Sequence, residues 1–481
     1  MYFANAQKAL DSRFRGNDDN FTVEPNTLEG KTCIIVGALL TRLVDMPQSF
    51  RTHLLAALRS PLTPIWLVVF LLPFGRSSEL GTLLCMLGAI ILFFRDRRAL
   101  AAHAGARLLL WLWAAYFLAA LISAPGAIDP ARSWNSVAAY IRFAPFGIYV
   151  CFAVRRESRL NALCLATGIV VALWALDAWV QVLTGFSLGG HAEAQRISGI
   201  FGADNLKLGP VLASLSPFVL WAARRRFGRL GLIAAMLFLL VPILLAGSRA
   251  AWITYGVALL AFFWIEARTP LRFVAWVLAA CIVVAAAIGA AWKTSPRFDA
   301  RMDRTLAALQ DTRHGLNYAS SGRLDIWRVS ARMIAAHPVV GVGVRDFREA
   351  YPRYASPDDH FVTEEACGEG EGACHPHQIV LEILSDTGAI GFALWLVALV
   401  LALRAWHNVG PDARRRAFPV TVALAVTVFP LNTHLAFYSA WWGLLFWWLL
   451  ALWCAALYVD VPDDAPVKLP RVRMKDFAHG A

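Results

Sequence analysis

The sequence predicts an all-α polytopic membrane protein of about twelve transmembrane helices, with one large outside loop between helices 9 and 10. Three observations predict it. Hydrophobic residues make up 58% of the 481 positions and charged residues 16%, where soluble domains carry about 45–50% and about 25%. The apolar residues fall in continuous blocks of roughly 17–25, the length that crosses about 30 Å of hydrocarbon; continuity rather than alternation argues against a barrel. The loops between blocks are basic in alternation. A mean hydropathy of +0.54 argues against a soluble multidomain enzyme and against a disordered or fibrous chain.

The blocks run over 61–75, 80–94, 107–124, 134–154, 160–184, 207–223, 229–246, 250–266, 271–292, 379–403, 417–434 and 437–458. The first two are short and suit a tight hairpin. Residues 1–45 read as a non-native or disordered N-terminal extension, with Met46 a sensible start, and are set aside from the fold. Residues 46–292 then hold helices 1–9, residues 378–458 hold helices 10–12, and residues 459–481 form a basic tail. Orientation follows from charge. With the N-terminus inside, the inside loops hold Arg95, Arg97, Arg98 and Arg107; Arg155, Arg156 and Arg159; Arg224, Arg225, Arg226 and Arg229; Arg268 and Arg272; and Arg404, Arg414, Arg415 and Arg416. The short outside loops hold little beyond Arg76, Arg132, Arg196 and Lys207. This is the positive-inside pattern, and it accounts for the net charge of +12 without nucleic acid as a partner.

Residues 293–377 are then the one large hydrophilic segment, on the outside. A loop of that length is expected to be folded and functional, and 325–336 reads as an amphipathic helix with Ile326, Val329, Met333 and Ile334 on one face. Of eight cysteines, six lie in apolar or terminal stretches and show no metal-site spacing. Cys367 and Cys374 share this polar loop, separated by three glycines, and are expected to form a disulfide in an oxidising compartment. The 19 tryptophans, among them Trp441, Trp442, Trp447 and Trp448, suit an aromatic belt.

Four motifs in order carry a family resemblance. Arg196-Ile197-Ser198-Gly199-Ile200-Phe201 followed by Asn205, Gly247-Ser248-Arg249-Ala250-Ala251-Trp252, the loop run Ser321-Gly322-Arg323 through Trp327, then Ala336-His337-Pro338-Val339-Val340-Gly341-Val342-Gly343-Val344-Arg345-Asp346-Phe347 and Tyr351, and His375-Pro376-His377-Gln378 through Gly388 resemble the O-antigen ligase and polymerase family over roughly residues 60–458. The chain departs from that family's closing motif by holding Gln378 where Asn is usual. The resemblance implies a metal-independent, cofactor-free, inverting glycosyltransferase of the bacterial inner membrane. It would move a glycan from undecaprenyl pyrophosphate to a lipid A–core acceptor at the periplasmic face. It equally implies an O-antigen polymerase or a protein O-oligosaccharyltransferase of the same fold. A lipid-linked glycan flippase or a secondary transporter is the rival from another class; the long outside loop and the lack of matched broken helices argue against it.

The chemistry of such a transfer can be compared with the residues directly. A leaving pyrophosphate needs cationic donors, and an acceptor hydroxyl needs a base near neutral pH, commonly histidine. Arg249, at the outer end of a span, is the candidate for the pyrophosphate, with snorkelling to headgroups as the plainer account. His377 is the candidate base, where the start of a helix favours both anion binding and a neutral ring; His375 is its nearest competitor. Arg196, Arg142, Arg323 and His375 are candidate substrate-binding residues. Arg142 lies inside an apolar block, where an arginine marks function by default, with an ion-pair role as the alternative. Arg323 and Trp327, one helical turn apart, are as well explained by loop packing.

Overall fold

The computed structural model describes residues 60–95, 97–98, 103–193, 196–203, 205–267, 269–294, 317 and 320–459. The extension 1–45, Arg268, residues 295–316 of the large loop and residues 460–481 of the tail lie outside the described residues. The described chain is almost wholly helical; the one sheet is a two-residue hairpin, β1 (Phe186–Ser187) against β2 (Gly190–His191).

In chain order the helices are α1 (Thr63–Phe70), α2 (Glu79–Arg95), α3 (Ala104–Ser123), α4 (Pro130–Tyr140), α5 (Phe143–Ala153), α6 (Glu157–Thr184), α7 (Leu208–Leu245), α8 (Arg249–Glu266) and α9 (Pro270–Thr294). The loop contributes α10 (Arg323–Ala336), α11 (Phe347–Tyr354) and α12 (His360–Thr363), and α13 (Ile379–Asn408), α14 (Pro411–Thr427) and α15 (Ala440–Leu457) complete the bundle. Eight stretches among the described residues are long and apolar enough to cross a membrane. The protein is thus an all-α, multi-pass membrane protein.

Several elements differ from the sequence expectation for identifiable reasons. The first block is helical only over α1, because Phe74 and Gly75 leave helical geometry in the short 3₁₀ segment that follows. The block 134–154 is interrupted at Ile141 and Arg142, between α4 and α5. The blocks 207–223 and 229–246 join as α7, broken at Gly228 with φ 69°. Arg224 and Arg229, on either side of that break, both pair with Glu266 at the end of α8, at 2.5 and 3.1 Å. The block 417–434 stops being helical at Thr427: Pro430 has no N–H to continue the ladder, and the Asn432 side chain donates to the Thr427 carbonyl, 2.8 Å away. Residues 428–439 are therefore a loop.

The core centres on α15, apolar on every side and buried over nearly its whole length, as expected of a helix surrounded by others. Its tryptophans correct the aromatic-belt expectation: Trp447 and Trp448 are fully buried. Trp447 stacks on Phe143 at 5.3 Å, and Trp448 Nε1 donates to the Ile65 carbonyl at 2.9 Å. The exposed apolar residues, such as Leu271, Ile282, Leu396 and Val400, lie on outward helix faces, where hydrocarbon rather than water is their natural solvent.

The two ends of the bundle differ. One end gathers arginines: Arg224 and Arg229 around Glu266, Arg416 near Glu157, and Arg414 donating to the Trp406 and His407 carbonyls. The other end carries the starts of α4, α8 and α15, onto which the large loop folds. That loop has a core of its own, built from Ile326, Val329, Met333, Val342, Phe347, Tyr351 and Phe361; three of these belong to the face expected of 325–336.

Candidate active site

The site begins with three backbone devices. Gly247 takes a left-handed φ of 74°, Ser248 caps α8 by accepting from Ala251 N, and Arg249 becomes the first helical residue. Ser321 and Gly322 are both left-handed, with φ 59° and 76°; Gly322 is the N-cap, with no side-chain cap, and Arg323 is the first residue of α10. Arg249 Nη2 donates to Ser321 Oγ at 3.3 Å, so two arginines that open two helices meet. Arg323 feels the encounter: burial first, then the Arg249 charge, lowers its pKa to about 10. Two guanidinium groups that feel each other's charge repel when alone and are drawn together around an anion.

The third device is the broken start of α13. Gly388 is left-handed (φ 63°), so residues 379–387 form a short separate helix before the long span. The break exposes backbone groups, and the loop run that resembled the family satisfies them. Val342 N donates to Ser385 O, Gly343 N to Asp386 O, Ala389 N to Pro338 O and Ile390 N to Val339 O, all at 2.8–3.1 Å. His377 therefore precedes a short helix, 379–387, and does not itself open the long segment that follows Gly388. Gln378 caps that helix, its side-chain oxygen accepting from Leu381 N at 2.7 Å. The departure from the family's Asn keeps a capping amide.

His377 Nδ1 lies 2.8 Å from the Thr433 carbonyl oxygen. A carbonyl only accepts, so Nδ1 carries the proton and Nε2 holds the lone pair. Burial, then His375, then Arg323 hold the His377 pKa well below the ordinary imidazole value, with the Thr433 bond opposing them. The ring thus stays neutral. His375 stands beside it, ring centroids 4.0 Å apart. Its pKa is lowered to about 3 by burial first, then by the charges of Arg348, His434, Arg323 and Arg345. Trp327 Nε1 fixes the turn between the two histidines by donating to Pro376 O at 3.0 Å, which is the packing role for that side chain.

Arg249, Arg323, His375 and His377 are thus brought together. Arg142 is placed elsewhere, between α4 and α5, where it pairs with Glu79 at 3.0 Å and lies over the Phe143 ring. It lines a cavity of about 380 Å³ with Asn135, Ser136, Tyr140 and Arg345. Arg345 connects that cavity to the histidines, since its charge also acts on His375. Arg196 is buried and pairs with Glu193 at 2.7 Å; the neighbouring Ile197 N donates to Leu245 O, near the start of α8.

Arg345, Arg348 and His434 were missed by the sequence reading. Arg345 lies inside the loop run that ends at Phe347, and its position two residues after Gly343 is the available signal; His434 lies in a block that reads as helix. Glu382 and Asp386 serve as scaffold. The Glu382 carboxylate accepts from Phe437 N and Tyr438 N at 2.8 and 3.0 Å, and Asp386 accepts from Arg345 N at 2.9 Å. Cys367 and Cys374 are joined by a disulfide on the strand of loop that leads to His375.

Residues 234–396 match the family model described as O-antigen ligase. The match bears out the resemblance read from the sequence and supports the O-antigen ligase/polymerase family. It spans Arg249, the large loop, both histidines and Gly388. No curated protein matches the chain. The match supports a function of the O-antigen ligase/polymerase type, and that family implies a glycosyltransferase-like enzyme with a lipid-linked glycan and an acceptor as general substrates.

Proposed function

We propose that the chain is a ligase-type glycosyltransferase that moves a glycan from undecaprenyl pyrophosphate to a lipid A–core acceptor. The observation that carries the reading is a neutral histidine, its Nδ1 tied to Thr433, beside a pair of arginines that open two helices. In the proposed step the acceptor oxygen attacks the anomeric carbon and gives its proton to His377 Nε2. The bond from the anomeric carbon to the pyrophosphate oxygen breaks, the configuration inverts, and Arg249 and Arg323 take up the charge left on the pyrophosphate. His375, neutral as well, positions the incoming hydroxyl. The cavity at Arg142 and Arg345 is the approach for the acceptor, and Arg196 adds positive charge at the rim. The arginine-rich end of the bundle is assigned to the cytoplasm and the histidine end to the periplasm of a bacterial inner membrane.

The lipopolysaccharide profile of a deletion strain tests this reading. Core without any O-chain supports ligation to lipid A–core. Core bearing one repeat unit would make the chain a polymerase, and cytoplasmic accumulation of lipid-linked glycan would make it a flippase. Unchanged lipopolysaccharide with loss of protein glycans would make it a protein O-oligosaccharyltransferase.

A further inference from the structure

A second cavity, of about 460 Å³, lies at the opposite end of the bundle. Helix α4 starts against the large loop, where Asp129 N donates to Asp346, and the chain then runs through α5 to Ala153. The turn from α5 to α6 is therefore at the far, arginine-rich end. The cavity is lined there by the apolar Ile91, Leu92 and Phe152 and by Arg155, Arg156 and Arg159. Its back wall is held by Tyr149, whose hydroxyl donates to Pro61 O at 3.0 Å.

The lining divides by chemistry. Ile91 is 56% exposed on the outward face of α2, close in sequence to Phe94, 81% exposed, so the apolar side opens toward lipid. The cationic side is shaped by contacts: Arg159 Nη1 donates to Ala153 O at 3.0 Å, and the Arg155 guanidinium lies over the Phe152 ring at 5.1 Å. The nearby carboxylate of Glu157 lies 3.8 Å from Arg416. Three arginines at the end of a span, next to an open apolar groove, offer one site for a phosphodiester and its attached chains together. Basic pockets between transmembrane helices suit anionic lipid headgroups.

From this division we infer that the groove between α2 and the α5–α6 turn binds an anionic glycerophospholipid. Arg155, Arg156 and Arg159 take the phosphodiester, and Ile91, Leu92 and Phe152 take the start of an acyl chain. The site is far from the histidines and independent of the transferase reading.

The experiment is lipid titration of the full chain, delipidated in detergent, followed by native mass spectrometry with phosphatidylglycerol and with phosphatidylethanolamine. Phosphatidylglycerol should bind the wild type about tenfold more tightly than phosphatidylethanolamine. The double variant Arg155→Gln/Arg159→Gln should lose that preference. Arg226→Gln/Arg404→Gln, which removes the same charge from the same end, should keep it. Leu92→Trp, which fills the apolar side without touching charge, should weaken both lipids and guards against misfolding of the arginine variant. Equal loss in the two arginine pairs would reduce the effect to general surface charge and overturn the site. Displacement of bound phosphatidylglycerol by millimolar inorganic phosphate would reassign the groove to a free phosphate and overturn the lipid assignment.

Discussion

His377 Nδ1 and the carbonyl oxygen of Thr433, 2.8 Å apart, join the closing motif of the large loop to the loop before the last helix. The bond fixes the tautomer and leaves Nε2 as the basic nitrogen. It also explains why His377 tolerates a left-handed φ of 56°: a non-glycine residue held there is retained by its surroundings.

The same ring carries a pH signature. Burial, His375 and Arg323 depress its pKa, and the neutral form is the base, so activity is lost only as the ring protonates below its lowered pKa. kcat/KM should stay flat from about pH 8 to about pH 6, where an unperturbed imidazole of pKa 6.5 would already have lost activity. Arg323→Gln removes a positive neighbour, raises the ring's pKa, and should move the acid limb to higher pH. A wild-type limb at 6.5 or above would contradict the burial argument.

Arg249→Lys should lower the transfer rate roughly tenfold to a hundredfold at unchanged protein level, because a point charge cannot reproduce a guanidinium fork on a pyrophosphate. The rate with purified lipid-linked donor is the readout. A Lys variant as fast as the wild type would return Arg249 to the snorkelling role.

Glu382 predicts a stability effect. Its carboxylate is the acceptor for two buried backbone N–H groups, those of Phe437 and Tyr438. Glu382→Ala should cost about 1–3 kcal/mol for each orphaned donor, whereas Glu382→Gln keeps one acceptor and should cost less. Thermal unfolding of the purified variants checks the order; equal melting temperatures would deny the scaffold role.

Gly388 and Gly341 are a second structural pair. Both are left-handed, and a Cβ on Gly388 would meet the backbone of Val339 and Gly341 N. Gly388→Ala should lose folded protein, by at least about 2 kcal/mol from backbone strain and overpacking together. Gly256→Ala, in helix α8 with nothing within 4 Å of the added carbon, should be neutral or stabilising by about 1 kcal/mol. Membrane abundance and melting temperature of the two variants decide it.

What was legible in the sequence follows from the range of the forces involved. The membrane class, the loop, the amphipathic face of α10 and the candidates Arg249 and His377 are carried by composition, block length and local motifs. The loop 428–439 was not legible, because residues 417–431 are apolar apart from Thr421 and Thr427, and Pro430 with the Asn432 bond to Thr427 stops the helix. Thr433 and His434 were lost with it. Arg345 looked like one loop arginine among several until the docking of Gly341 and Gly343 on the α13 break carried it to His375. Arg142 met Glu79, 63 positions away in sequence, a partner that no local pattern shows.

The most direct measurement compares the single-turnover transfer rates of purified His377→Ala and His375→Ala at saturating lipid-linked donor. The account predicts that His377→Ala loses about 10²–10⁴-fold with donor binding retained, and that His375→Ala is milder. His377→Ala near the wild-type rate, with His375→Ala inactive, would contradict it.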